Sequence, residues 1–241
     1  MAKKDHFLLV DTETTVTDKV ADFAAIVCDR KGNILTQCAV LIRDIFTDAN
    51  QHPLFVDPSV PFDSIWSRNG QGKRYSAYQA MLESGSRMVA SVSAVNRWLD
   101  RAAIVYNPIL TAYNLPFDVS KCNNTGIDLN MFSSRFCLWA AAYSRWAQSK
   151  RFKNFVLSVH GFNTPTALGN MTYKTNAEIM ARFLLGQPDM PDEPHTALED
   201  IIGYELPILT AVVRGQKRDK WINPVSYNWR DCQVKNHFIA K

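Results

Sequence analysis

FLLVDTETT, residues 7 to 15, is the stretch that decides the fold. Phe7, Leu8, Leu9 and Val10 form an unbroken apolar run, the pattern of a short strand buried on both faces. Asp11 and Glu13 follow at once. Strand side chains alternate with period two, so these two acids point to the same face. Two like charges at the end of a buried strand repel each other unless a cation sits between them. The cation such a pair suits is a hard metal such as Mg²⁺, which takes oxygen ligands and commonly uses one or two carboxylates. An isolated Asp-x-Glu has a plainer account, in which the strand has ended and both acids face water. Further carboxylates elsewhere must decide between the two.

Outward from this strand, Phe23 to Cys28 and Ile34 to Ile42 are two apolar segments joined by Asp29-Arg30-Lys31-Gly32-Asn33. That turn places Gly where a positive φ is needed, so the chain opens as an antiparallel meander. Residues 43–74 carry Pro53, Pro58, Pro61, Gly70 and Gly72 without sustained period, an irregular excursion reaching to about residue 85. A short helix is expected over Tyr75–Glu83. Ser86 is expected to cap a clearer helix in which Val89, Val92, Val95, Trp98, Leu99 and Ala102 trace an apolar stripe. A strand is placed at Ile109–Tyr113, and Pro116 suits the first position of the helix that follows. Phe136 to Ala147 reads as a strand passing into a helix, or as one continuous helix. Asn176 opens and Gly186 closes a helix over Ala177–Leu185. A long helix then runs from about His195 to Arg214, kinked by Pro207.

With 241 residues, 46% hydrophobic and 21% charged, the chain suits one elaborated α/β domain, residues 1–241, with a basic tail from about 215 to 241. The five cysteines are odd in number, scattered, and form no Cys-x-x-Cys pair. That argues against a disulfide framework or thiolate zinc site and for a reducing compartment, so a cytoplasmic location is expected. No apolar run is long enough for a signal peptide or a membrane helix, and no membrane partner is expected. Net charge is only +4, but residues 1–120 hold 12 basic against 13 acidic side chains and residues 121–241 hold 15 against 10. Basic and aromatic residues interleave at 145–155 (Arg145, Trp146, Lys150, Arg151, Phe152, Lys153, Phe155) and in the tail (Lys217, Arg218, Lys220, Trp221, Trp229, Arg230). This pattern suits single-stranded nucleic acid, by phosphate neutralisation and base stacking. It equally suits aromatics in the core beside solvated lysines.

Two further stretches bear on the acids. In Asn114-x-x-Phe117-Asp118 an acid follows a strand and opens a helix. His195-Thr196-Ala197-Leu198-Glu199-Asp200 puts a His five residues before an Asp, best met with His195 just before a helix and Asp200 in its second turn. Taken singly, Asp118 is a favourable charge at a helix N-terminus and Asp200 a solvated helix residue. Together with Asp11 and Glu13 they stand at strand and helix ends, where α/β proteins build sites.

Phe7–Thr15, Ala112–Cys122 and His195–Leu209 resemble the three motifs of the DEDDh family of 3′→5′ exonucleases, which includes polymerase proofreading subunits and ribonuclease T. Asp11 and Glu13 match the first motif, Asp118 the second, and His195 and Asp200 the third. Thr196 stands where the related tyrosine subclass has Tyr. Val16 and Phe136-Cys137 depart from the family at positions that are not metal ligands. The resemblance implies an RNase H-like α/β fold, a mixed five-stranded sheet with an antiparallel meander and helices on both faces. It implies two Mg²⁺ ions, replaceable by Mn²⁺, held by Asp11, Glu13, Asp118 and Asp200, with His195 as general base. Thr12, Thr14, Thr15, Asn114 and Phe117 would bind substrate. The implied reaction removes nucleoside 5′-monophosphates from the 3′ end of single-stranded nucleic acid, DNA in preference to RNA, with a polymerase or a second copy of the chain as possible partner. The rival is a catalytically silent nucleic-acid-binding or adaptor module that keeps the fold; loss of a motif carboxylate would be its mark.

Overall fold

The first three strands are β1 (His6–Thr14), β2 (Val20–Asp29) and β3 (Ile34–Ile42), and they form the antiparallel meander that the sequence suggests. The computed structural model describes residues 5–15, 17–46, 71–165 and 169–234, and for 71–75 the backbone alone. Val16, most of the 43–74 excursion and the end of the tail lie outside the described residues. The β2–β3 turn shows why Gly32 is where it is. Its φ is +85°, and a Cβ there would stand 2.7 Å from the Thr210 methyl carbon. The Asp29 carboxylate accepts the backbone N–H groups of Lys31 and Asn33 and so closes the turn.

After α1 (Arg43–Phe46) and α2 (Gln71–Ser84), the chain forms β4 (Met88–Ala90), parallel to β3. Here the sequence expectation is corrected. Val89 belongs to this strand rather than to a helical stripe, and the cap is Ser91, whose Oγ accepts from the Ala94 N–H, not Ser86. Helix α3 (Val92–Tyr106) leads to β5 (Ile109–Ala112), which runs parallel to β1. Helix α4 (Leu115–Thr125) has Pro116 in its first turn, and β6 (Arg135–Cys137) lies parallel to β5. The passage from β6 into α5 (Leu138–Ala142) and a π-turn at Tyr143–Ala147 is as read. Then come α6 (Lys150–Ser158), α7 (Ala177–Leu185), α8 (Ala197–Asp200) and α9 (Leu206–Val213).

The strand order is β4-β3-β2-β1-β5-β6, with β2 antiparallel to its neighbours and β1, β5 and β6 parallel. This is the RNase H-like arrangement, with six strands rather than five because β4 adds to the outer edge of the meander. Alternation along β1 divides the core. Leu8 and Val10 pack with α3 and α4 on one face, while Phe7 and Leu9 pack with α5 to α9 on the other. Asp11 and Glu13 continue the Phe7–Leu9 face and therefore look toward α8 and α9.

Several tail and linker aromatics belong to the core. Trp221 is 1% exposed and packs against Phe7 and Phe136, so it presents no face to a base. Phe152 is fully buried against Tyr173 and Phe183, and Trp146 and Phe155 pack on the same core. Arg145 donates to the Ala211 and Val212 carbonyls at the end of α9, where a cation is favourable. The 145–155 stretch thus builds the fold rather than a stacking platform. Trp229, by contrast, is exposed, with the Arg230 guanidinium over its ring.

Between α8 and α9 the helix widens into a π-turn, Ile201–Glu205, in which the Leu206 N–H bonds five residues back to the Ile201 carbonyl. Pro207 explains the widening. It has no N–H to give the Gly203 carbonyl, and its ring crowds that group in a regular helix. The expected kink is therefore one inserted residue, and it turns Glu205 into the interior, where it is 4% exposed.

Candidate active site

Asp11, Glu13, Asp118, His195 and Asp200 line one cleft of about 200 Å³, together with Asn114 and Phe117. Three parts of the chain converge to make it. β1 carries Asp11 and Glu13 to its C-terminal end. β5, parallel beside it, delivers Tyr113 and Asn114 and then the first turn of α4, which holds Asp118. Asn114 stands at the N-cap position of α4 but makes no side-chain cap bond, which leaves its amide to the cleft. The third part is the entry to α8, with His195 outside the helix and Asp200 buried within it.

The three threonines have other surroundings. Thr12 is buried, and its Oγ1 donates to Asp118 Oδ1 at 2.8 Å, which fixes that carboxylate. Thr15 Oγ1 accepts from the Lys19 N–H beyond the strand end. None of Thr12, Thr14 and Thr15 lines the cleft.

A buried charge network holds the α8 entry against the sheet. Asp22 of β2 is fully buried; its carboxylate accepts from the Ala197 N–H at 3.0 Å, from Tyr78 Oη at 3.0 Å and from Arg87 Nε at 3.2 Å. Arg87 Nη2 in turn bonds Glu199 at 2.6 Å. These contacts grip the turn on which His195 sits at a φ of +55°, a left-handed value that costs a non-glycine residue about 1 kcal/mol or more. No local pattern marks this network, whose partners lie 56 to 175 residues apart. Two further cleft acids are not among the five residues matched to the motifs. Glu193 comes from the proline-broken loop before α8, and Glu205 from the π-turn.

The electrostatics follow from six carboxyl groups around one cleft that no Lys or Arg among the described residues lines. Burial pushes Asp11 up to about 7, Glu193 to about 8 and Asp200 to about 9, with neighbouring carboxylates adding to each. Asp118 and Glu205 are held well above the ordinary range, first by burial and then by the Asp11 charge. A cation would relieve this. Asp200 Oδ1 and Glu205 Oε2 are buried without a hydrogen-bond partner, which is costly for an acceptor and is what a metal or a metal-bound water satisfies. Ligand atoms of Glu13, His195 and Asp200 lie within 4.8 Å of one another. Oxygen donors with a single imidazole fit Mg²⁺ or Mn²⁺ better than a thiophilic ion.

A stability prediction follows. The raised carboxyls hold protons in the folded protein that they release on unfolding, where they return to about 3.8 (Asp) and 4.5 (Glu). Their favourable contribution is complete below pH 4 and is lost as pH rises through about 7 to 9. In chelator, the melting temperature should fall steadily from pH 5 to pH 9. Added Mg²⁺ should restore more at pH 9 than at pH 6. A flat or rising profile in chelator would show that the cleft carries no such strain.

No protein-family model matches the chain, and no curated protein sequence matches it. A solved structure of E. coli Exonuclease I in complex with a 5cy-dT13 oligonucleotide is similar over 87% of the chain, at 16% identity and a TM-score of 0.43. The match covers 40% of that protein, so the chain corresponds to well under half its length. The functional reading therefore rests on the cleft itself. Among the described residues no helix is long and apolar enough to cross a membrane, and all five cysteines are free thiols.

Proposed function

We propose that the protein is a metal-dependent 3′→5′ exonuclease acting on single-stranded nucleic acid, with DNA preferred to RNA. The observation that carries this reading is the convergence of Asp11, Glu13, Asp118, His195 and Asp200 on one cleft, with a buried carboxylate oxygen of Asp200 unpaired. A silent binding module has no need to keep every acid of a strained, cation-hungry site.

Asp11, Glu13, Asp118 and Asp200 would hold two Mg²⁺ ions, which when bound stabilise charge on the attacking and leaving oxygens of an in-line phosphodiester displacement. The chain's own residues do the rest. Thr12 holds Asp118 in its rotamer by the 2.8 Å bond. The Asp22–Arg87–Tyr78 network holds the α8 entry, and with it Asp200, against β1 and β2. His195, exposed on the loop beside Glu13 and Asp200, takes the proton of the attacking water.

A groove of about 410 Å³ adjoins the cleft, sharing Tyr113, Asn114 and Asn176 with it. Its walls include Trp139 and Tyr227, whose rings lie 4.5 Å apart, and Lys174. Trp139 is held in place by its Nε1, which donates to Thr175 Oγ1 at 2.9 Å. Aromatic walls with a cation suit unpaired bases and a phosphate, which supports a single strand as substrate.

The test uses 5′-labelled DNA and RNA oligonucleotides of matched sequence, single-stranded and as blunt duplex. A descending ladder with Mg²⁺ or Mn²⁺, and none in chelator, is the expected outcome. Degradation undiminished by chelator would overturn the metal mechanism. A tenfold preference for blunt duplex, about 1.4 kcal/mol, would reverse the strand preference.

A further inference from the structure

Glu205 is not among the motif acids, yet it reaches the same cleft. It is 4% exposed and its Oε2 has no hydrogen-bond partner. It stands five residues after Asp200, which in a regular helix is about 140° around the axis from it. The π-turn Ile201–Glu205 removes most of that offset and brings both carboxyls to one side. A buried carboxyl with an unpaired oxygen among five others is costly, and a fold keeps it only where something compensates. The turn itself is a feature enriched at functional sites, here enforced by Pro207.

We infer that Glu205 is a fifth metal-site carboxylate, which binds a cation directly or fixes a cation-bound water through its free Oε2. The inference rests on the metal-dependent reading above. Asp11 and Asp118, whose charges act on it most strongly after burial, line the same cleft. The amide of Glu205→Gln has the same shape and removes the charge, so the variant should fold and be at least as stable as wild type in chelator.

Mn²⁺ binding by titration calorimetry, in the absence of nucleic acid, gives a readout independent of turnover. Wild type should bind Mn²⁺, Asp11→Asn should not, and Glu205→Gln should bind about 10- to 100-fold more weakly, as supporting groups of metal sites generally do. If wild type fails to bind Mn²⁺, the metal-dependent reading falls and this inference with it. If wild type binds and Glu205→Gln binds equally well, the inference alone falls. A Glu205→Gln protein that is unfolded or less stable in chelator also overturns it, because Glu205 would then be holding the fold.

Discussion

Asp11→Asn should leave a folded protein with no measurable turnover, a loss of at least about 10⁴-fold, the scale seen when a group that acts as part of a unit is removed. The reason is its position among the other acids. Asp118, Glu193, Asp200 and Glu205 are each pushed upward in part by the charge on Asp11. Its charge thus acts on four of the five other acids that line the cleft. The amide keeps the shape and the strand pairing to Ala24, while an uncharged donor replaces a charged ligand. In chelator the variant should melt higher than wild type at pH 8, because a buried charge that is uncompensated without metal has gone. Activity, Mn²⁺ binding and melting temperature measured together check this. A variant with a tenth of wild-type turnover or more would remove Asp11 from the centre of the mechanism.

Much of this site was legible because its elements are local. Four apolar residues ending in Asp-x-Glu specify β1 and the side to which its acids point. Pro116 and Asp118 mark the start of α4. The meander follows from two apolar runs around a Gly turn. What escaped depends on contacts between distant parts. Met88–Ala90 is a strand only because β3 offers an open edge, and its valine fits a helical stripe equally well. Trp221 in a basic tail looks like a stacking residue until Phe7 and Phe136 close around it. Asp22 in β2 gives no local sign that Arg87 and the Ala197 N–H will meet it. For Glu205 the signal was half visible. Pro207 announces a disturbed helix, but which side chain the disturbance turns inward depends on whether the helix bends or gains a residue. The chain gains one.

His195→Ala should fail in a different manner from Asp11→Asn. His195 is exposed where it lines the cleft, and a ring nitrogen lies within 4.8 Å of carboxylate oxygens of Glu13 and Asp200. Two roles fit that place, proton acceptor and metal ligand, and they predict different losses. As a proton acceptor its removal costs about 10²–10⁴-fold in turnover and leaves the carboxylates to hold metal and substrate. Mn²⁺ and oligonucleotide binding should then stay near wild type, and turnover should recover partly as pH rises and hydroxide replaces the missing base. As a ligand its removal takes metal affinity with it, and no rise in pH restores the rate. The backbone needs a control, because φ at this residue is +55° and the turn is gripped through Ala197 and Asp22. Asn adopts left-handed backbone more readily than Ala, so His195→Asn keeps the turn while lacking the imidazole. Both variants should lose turnover alike and keep Mn²⁺ alike. If His195→Asn were active and His195→Ala were not, the turn rather than the imidazole would be what matters. If both lost Mn²⁺ as fully as Asp11→Asn, His195 would be a ligand, and the proton would have to leave the attacking water by another route.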